Sequence, residues 1–424
     1  MSTLAAVPGP TFQPQRATIA LLGSILLALG VFLTGFVIHE PAPGDAIIAL
    51  LAGLWFFMGL KISRGTGPLL FMLLIIETGC LLSITQMDDM SPGPAYLGVS
   101  AFLAMTAFFY AALFEDDYKR LDLFFNAWTA GAVITSALGV LGYFHAFPGA
   151  DVFTRYGRAM GAFKDPNVFG PYVIAPALYL IYGILKGKTM HLPLRAISLM
   201  IIALGVLLAF SRAAWGLFVF AAAMLVLVML LKERTAAFRL KILVIALGGL
   251  VAMVALLIIA LQFHQVSDLF SARTQLVQDY DGGHLGRFER HRLGFLMSME
   301  KPLGIGPMVF SILFPEDEHN IWLKMLTTYG WMGFATYIGM VVWSISIGFK
   351  YLLRDRPWQP YLMIAWIVLL GHVGIGNVID TDHWRHFYMI LGIIWGCRAL
   401  EHNYQKKLAK TAAAPMGPGD AARA

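Results

Sequence analysis

Long apolar runs separated by short polar connections make up almost the whole chain. A bilayer crossing needs roughly 20 predominantly apolar residues. Scanned at that length, the sequence yields twelve candidate spans: 17–38, 45–61, 67–86, 95–114, 121–144, 167–185, 194–210, 213–231, 240–263, 326–349, 360–379 and 386–400. The first run ends in Val37-Ile38-His39-Glu40-Pro41. It is longer than the roughly 7–15 residues of a signal-peptide core and lacks a small-residue cleavage site, so it is expected to stay in place as a span. The predicted fold class is all-α, a polytopic membrane protein with about 12 transmembrane helices. One long hydrophilic stretch lies between spans nine and ten. The predicted organisation is an amino-terminal tail (1–16), spans one to nine (17–263), a loop domain (264–325), spans ten to twelve (326–400) and a tail (401–424). The tail is expected to be disordered because it is rich in Ala, Pro and Gly.

Composition strengthens this reading. Of 424 residues, 58% are hydrophobic and 13% charged, with 30 Phe and 10 Trp. A soluble domain carries roughly 25% charged residues to wet its surface, so most of this surface is built to meet membrane lipids. The net charge of +6 is read as loop charge facing the cytoplasm rather than as a nucleic-acid footprint. Cys80 and Cys397 fall in or beside apolar runs predicted to lie far apart, and imply neither a disulfide nor a metal site.

Loop charges orient the spans, because Lys and Arg collect on the cytoplasmic side. Alternate connections are basic: Lys61 and Arg64; Lys119 and Arg120; Lys186, Lys188 and Arg195; Lys232, Arg234, Arg239 and Lys241; Lys350, Arg354 and Arg356. Arg16 and the carboxyl-terminal Arg398, Lys406, Lys407, Lys410 and Arg423 join that set, whereas 39–44 and 87–94 contain no Lys or Arg. Both termini are therefore expected in the cytoplasm. The exceptions are Arg155, Arg158, Lys164, Arg212, Arg273, Arg287, Arg290, Arg292, Lys301, Lys324 and Arg385, all predicted on the outer face or at its membrane edge. Charge beside hydrocarbon is costly and calls for a partner. An anionic substrate would supply one.

Several polar residues are candidates for chemistry. His319 follows Glu316-Asp317-Glu318. An imidazole, with an ordinary pKa near 6.5, can take a proton from a hydroxyl at neutral pH, and the carboxylates could orient it or raise its basicity. By position alone, a wet interfacial histidine at the start of a helix is the plainer reading. Arg212 lies between two apolar runs in Ser211-Arg212-Ala213, suited either to pyrophosphate oxygens or to snorkelling towards headgroups. Asp165-Pro166 reads as a helix cap with proline in the first turn, leaving Arg158 and Asn167 open. Asp380, Asp382, His383 and His386 have ligand-like spacing, although a polar helix-end cluster is the simpler account. Glu77 is the clearest mid-span charge, which a transporter would need.

Taken together, Gly161 to Asn167, Ser211-Arg212 and the long loop resemble the O-antigen ligase and polymerase superfamily of bacterial envelope glycosyltransferases. The loop contributes Gly286-Arg287, Pro302-Leu303-Gly304-Ile305-Gly306, His319-Asn320 and Leu323. The motifs cover roughly 150–345, with topology alone matching elsewhere. One departure is His291, where an aromatic residue is expected four positions after the loop arginine; it bears on substrate specificity.

The resemblance implies an inner-membrane enzyme working at the periplasmic face. Its donor would be an undecaprenyl-pyrophosphate-linked glycan, and its acceptor lipid A–core in a ligase or another lipid-linked glycan in a polymerase. His319 matches the family's proposed base, and Arg212 and Arg287 match the arginines proposed to hold the leaving pyrophosphate. Arg158, Asn167, Arg290 and Asn320 are assigned to substrate binding. No metal or cofactor is implied, since arginines do the work of a cation. Ligase-type transfer leads, with polymerisation of O-antigen or exopolysaccharide repeats as the alternative and transport as a second.

Overall fold

The computed structural model describes residues 14–59, 62–187, 189–275, 286–314 and 316–412. Residues 1–13, 60–61, 188, 276–285, 315 and 413–424, among them Lys61, Lys188 and part of the predicted loop domain, lie outside the described residues.

The chain is almost entirely helical, as its apolar runs require: a backbone in hydrocarbon must satisfy its own hydrogen bonds. In order come α1 (Pro14–Leu33), α2 (Pro43–Phe57), α3 (Gly67–Ile84), α4 (Gly93–Asp116) and α5 (Arg120–Tyr143). A two-stranded antiparallel ribbon pairs Thr154 with Ala159 and Arg155 with Arg158. Next are α6 (Pro166–Tyr172), α7 (Ile174–Lys186), α8 (Leu192–Leu208), α9 (Arg212–Lys232) and α10 (Ala236–Ala260). The loop region holds α11 (His264–Thr274), α12 (Arg287–Glu300) and α13 (Val309–Leu313), before α14 (Ile321–Tyr351), α15 (Gln359–Ile375) and α16 (Arg385–Ala412).

Each predicted span overlaps a helix, but the helices are not alike, and α16, which holds the twelfth, is in neither of the two groups below. Among the described residues eight qualify as membrane-crossing by length and apolar composition: α3, α4, α5, α6 with α7, α8 with its short 3-10 lead-in, α9, α10 and α14. Three further apolar helices are shorter: the 18–33 part of α1, α2 and α15. Three expectations change. The span predicted at 167–185 is two helices meeting at Val173, with Pro171 inside the first. Helix α16 continues to Ala412, where a disordered tail was expected from 401. Helix α14 starts at Ile321, five residues before the predicted span.

The core is a bundle in which α16 lies along α4 and α14 along α3. Around Trp128, the rings of Phe124, Phe125 and Tyr172 pack within 6.0 Å between centroids. Helix α10 is the opposite case, with 6% of its most apolar window buried, a helix that faces lipid on nearly every side.

Helix α14 is broken at Gly330, whose φ of 66° and ψ of −178° suit a residue without a Cβ. A continuous helix would bond the Trp331 N–H to the Thr327 carbonyl. Here the Trp331 N–H donates to the Pro302 carbonyl at 2.9 Å, and the Thr327 carbonyl accepts the N–H groups of Ile305 at 2.7 Å and Gly306 at 3.3 Å. The Pro302-to-Gly306 motif therefore docks onto the break. Gly304, at φ 91°, would bring a Cβ to 2.7 Å from that same carbonyl. This docking fixes the loop above the bundle.

Candidate functional site

The loop chemistry gathers around His319, between α13 and α14. Asn320 caps α14, its side-chain oxygen accepting the N–H groups of Trp322 and Leu323 at 3.0 and 3.1 Å. Its amide also donates to the Asn377 carbonyl at 3.2 Å, so its side chain already has a capping role. His319 adopts φ 47°, a left-handed conformation uncommon for non-glycine residues. Asp380 holds it there: its carboxylate accepts the His319 N–H at 3.2 Å and the Asn320 N–H at 2.9 Å. Asp380 Oδ2 also lies 4.0 Å from Nδ1 of His319, and Glu316 Oε2 lies 3.9 Å from Nε2. The imidazole is 37% exposed, accessible from outside while anchored from beneath.

A buried layer supports this loop. The Glu318 carboxylate, 1% exposed, meets Lys324 Nζ at 3.0 Å and accepts the Thr327 hydroxyl at 2.6 Å. The Glu318 carbonyl accepts a hydrogen bond from His291 Nε2 at 2.8 Å, so His291, the departure from the family pattern, anchors the residue before His319. Arg290 is buried and pairs with Glu316 at 2.7 Å. Hydropathy gave no sign that Lys324 and Glu318 would pair inside; their spacing of six residues on opposite sides of a helix cap was the only clue.

Electrostatics favour a neutral imidazole. Burial lowers the His319 pKa, and the Arg287 guanidinium lowers it further, with Arg290 adding to the effect against Glu316 and Asp317. The expectation that the carboxylates raise its basicity is thus corrected: burial and the two arginines prevail. His291 is lowered by burial in the same way, with Arg287 and Arg290 again opposing its charge. Arg287, Arg290, His291 and His319 therefore share one electrostatic neighbourhood. Burial raises the Asp380 carboxyl, opposed chiefly by Lys324.

A second group forms where the ribbon meets the α8–α9 turn. Asp165 caps α6 by accepting the Asn167 N–H at 2.6 Å, as Asp165-Pro166 predicts. Arg158, 6% exposed, donates from Nε to the Ala209 carbonyl at 2.7 Å and from Nη2 to Asn167 Oδ1 at 2.8 Å. Arg158 and Asn167 are thus brought together as a brace. Ser211 caps α9, accepting the Ala214 N–H, and Arg212 opens that helix with Nη1 donating to the Gln275 carbonyl at 3.4 Å. Among the described residues no hydrogen bond or ion pair joins this group to His319 or Arg287.

Two of the remaining candidates have side-chain partners. Arg385 forks onto Asp45 at 2.8 and 2.7 Å. Glu77 accepts the Ser100 hydroxyl at 2.8 Å. Among the described residues no three His, Cys, Asp or Glu side chains are placed to hold a metal ion.

This is a multi-pass membrane protein whose loop presents a histidine with a lowered pKa beside arginines, over a helix broken to receive that loop. Residues 197–338 match a family model described as O-antigen ligase, so the chain carries a domain of that kind, which supports its place in the O-antigen ligase and polymerase superfamily. The matched segment contains Arg212, Arg287, Arg290, His319 and Asn320, while Arg158 and Asn167 precede it. No curated protein matches the chain.

Proposed function

We propose that the protein is a ligase-type glycosyltransferase, moving a glycan from undecaprenyl pyrophosphate to a lipid A–core acceptor at the periplasmic face of the inner membrane. The observation that carries this reading is His319 itself. It is a half-exposed imidazole whose positive form is disfavoured by burial and Arg287, with its backbone fixed by Asp380, inside the segment that matches the family. A neutral imidazole is the form that accepts a proton.

The step is a single displacement. His319 takes the proton of an acceptor hydroxyl, and that oxygen attacks the anomeric carbon. The bond from that carbon to the pyrophosphate oxygen breaks, and the electron pair leaves with undecaprenyl pyrophosphate. Arg287 and Arg212 receive the developing charge, since a guanidinium stays ionised and presents paired donors to phosphate oxygens. The apolar helix surfaces would hold the polyprenyl chain.

The test is His319→Gln in a strain lacking the chromosomal copy. Lipopolysaccharide is expected to lose its long glycan chains while the variant still inserts in the membrane. Normal ligation by an inserted variant would remove the base assignment. A deletion strain showing single repeats on core, rather than bare core, would favour the polymerase reading.

A further inference from the structure

Helix α12 presents two unlike faces. Arg290, Gly294 and Ser298 are buried, and this side lies against α14: a Cβ on Gly294 would meet Leu323, and Trp331 Nε1 donates to the Ser298 carbonyl at 2.9 Å. On the other side Phe288 is 65% exposed and Phe295, Leu296 and Met299 are each 47% exposed. Positions 288, 292, 295, 296 and 299 recur at helical spacing and so share one face, with Arg292 as its one charged member. Helix α13 also exposes apolar residues, Ile312 at 78% and Leu313 at 53%.

The break in α14 gives the height of this surface. Beyond Gly330, residues 331–351 rise about 31 Å at 1.5 Å per residue, matching a hydrocarbon core of about 30 Å. Taken as the crossing, this segment puts the membrane boundary near Trp331, an aromatic residue of the kind that collects at that level. Trp331 is bonded to α12 through Ser298, and Met332 beside it is 40% exposed, so α12 is tied to α14 where the exposed apolar residues of the span begin.

We propose that the exposed face of α12, together with that of α13, is immersed in the lipid leaflet on its side of the bilayer. Its occupant is acyl chain and glycerol rather than water or a protein partner. Arg292 on that face can reach lipid phosphates while its stem lies along apolar surface, and Lys301 follows at the helix end. Amphipathic helices with Phe and Leu on the buried face and basic residues beside them seat in this way. The immersion fixes the level of Arg287 and Arg290 above the hydrocarbon. It stands on the position of α12 relative to the span and is independent of glycan transfer.

The experiment uses the full chain reconstituted in phosphatidylethanolamine–phosphatidylglycerol vesicles. Phe295→Cys, Met299→Cys and Ile312→Cys each carry an environment-sensitive fluorophore, with Glu300→Cys as the polar control. Cys80 and Cys397, both fully buried, remain in place. At 295, 299 and 312, blue-shifted emission is expected, with quenching by doxyl lipid several-fold stronger than by iodide, and the reverse at 300. Iodide quenching at 295 and 299 equal to that at 300 would overturn the proposal in favour of a water-exposed lid. Shielding from both quenchers would overturn it in favour of a covering protein.

Discussion

Replacing Lys324 by methionine leaves the Glu318 carboxylate buried without its cation. The pair is closed to solvent, with side-chain exposures of 7% and 1% and a separation of 3.0 Å, and Thr327 would remain as the carboxylate's hydroxyl donor. Removing one partner of a buried ion pair costs about 3–5 kcal/mol, whereas replacing both with apolar groups is often close to neutral. Lys324→Met is therefore expected to lose about 3–5 kcal/mol of unfolding free energy, with the pair Lys324→Met and Glu318→Met recovering most of it. Denaturation by SDS in mixed micelles, followed by tryptophan fluorescence, reads both quantities. The double variant should still transfer glycan poorly, because Glu318 sets the backbone entering His319. A single variant within about 0.5 kcal/mol of the parent, the range of ordinary surface substitutions, would refute the assignment of this pair as a buried support.

Arg287→Ala removes a positive charge that opposes protonation of His319, so the histidine pKa rises. Since the neutral imidazole is the active form, the acid limb of the transfer rate against pH should move to higher pH; a limb that stays or moves down contradicts the electrostatic assignment. Gly330→Ala places a Cβ 2.8 Å from the Leu303 carbonyl group at φ 66°. A backbone at φ 66° and ψ −178° is essentially confined to glycine and costs an L-residue roughly 1–3 kcal/mol, so proteolysis within 286–306 should accelerate, and unchanged cleavage would show that the docking tolerates the side chain. Asp380→Asn keeps one carbonyl oxygen where two oxygens now accept N–H groups. A displacement of about 1 Å at a reacting group can cost about 10²-fold, so transfer should fall by that order with membrane insertion intact, as glycan profiling and membrane fractionation would report.

Helix positions were legible because hydropathy over a 20-residue window reports burial in lipid, which α10 shows in its purest form. The same window is blind to hydrogen-bond geometry. It could not find the break at Gly330 or the junction at Val173, since neither changes apolar content. The charges were legible by number and sequence position but not by partner. Arg290, assigned to substrate, is paired with Glu316, and Arg158, equally exposed by sequence logic, is a buried brace to Ala209 and Asn167. Asp380 lies 61 residues from His319 along the chain, a distance over which no local pattern operates.

The interrupted ladder of α14 has a mechanical meaning. Thr327 and Trp331 have given their backbone groups to a neighbouring strap, so lifting that strap would expose a carbonyl and an N–H near hydrocarbon, each at a cost of several kcal/mol. The 302–306 segment is therefore a latch closed from within the span. On the proposed function, any path for a lipid-linked reactant that lifted this latch would carry that added cost, which favours a route that leaves it shut.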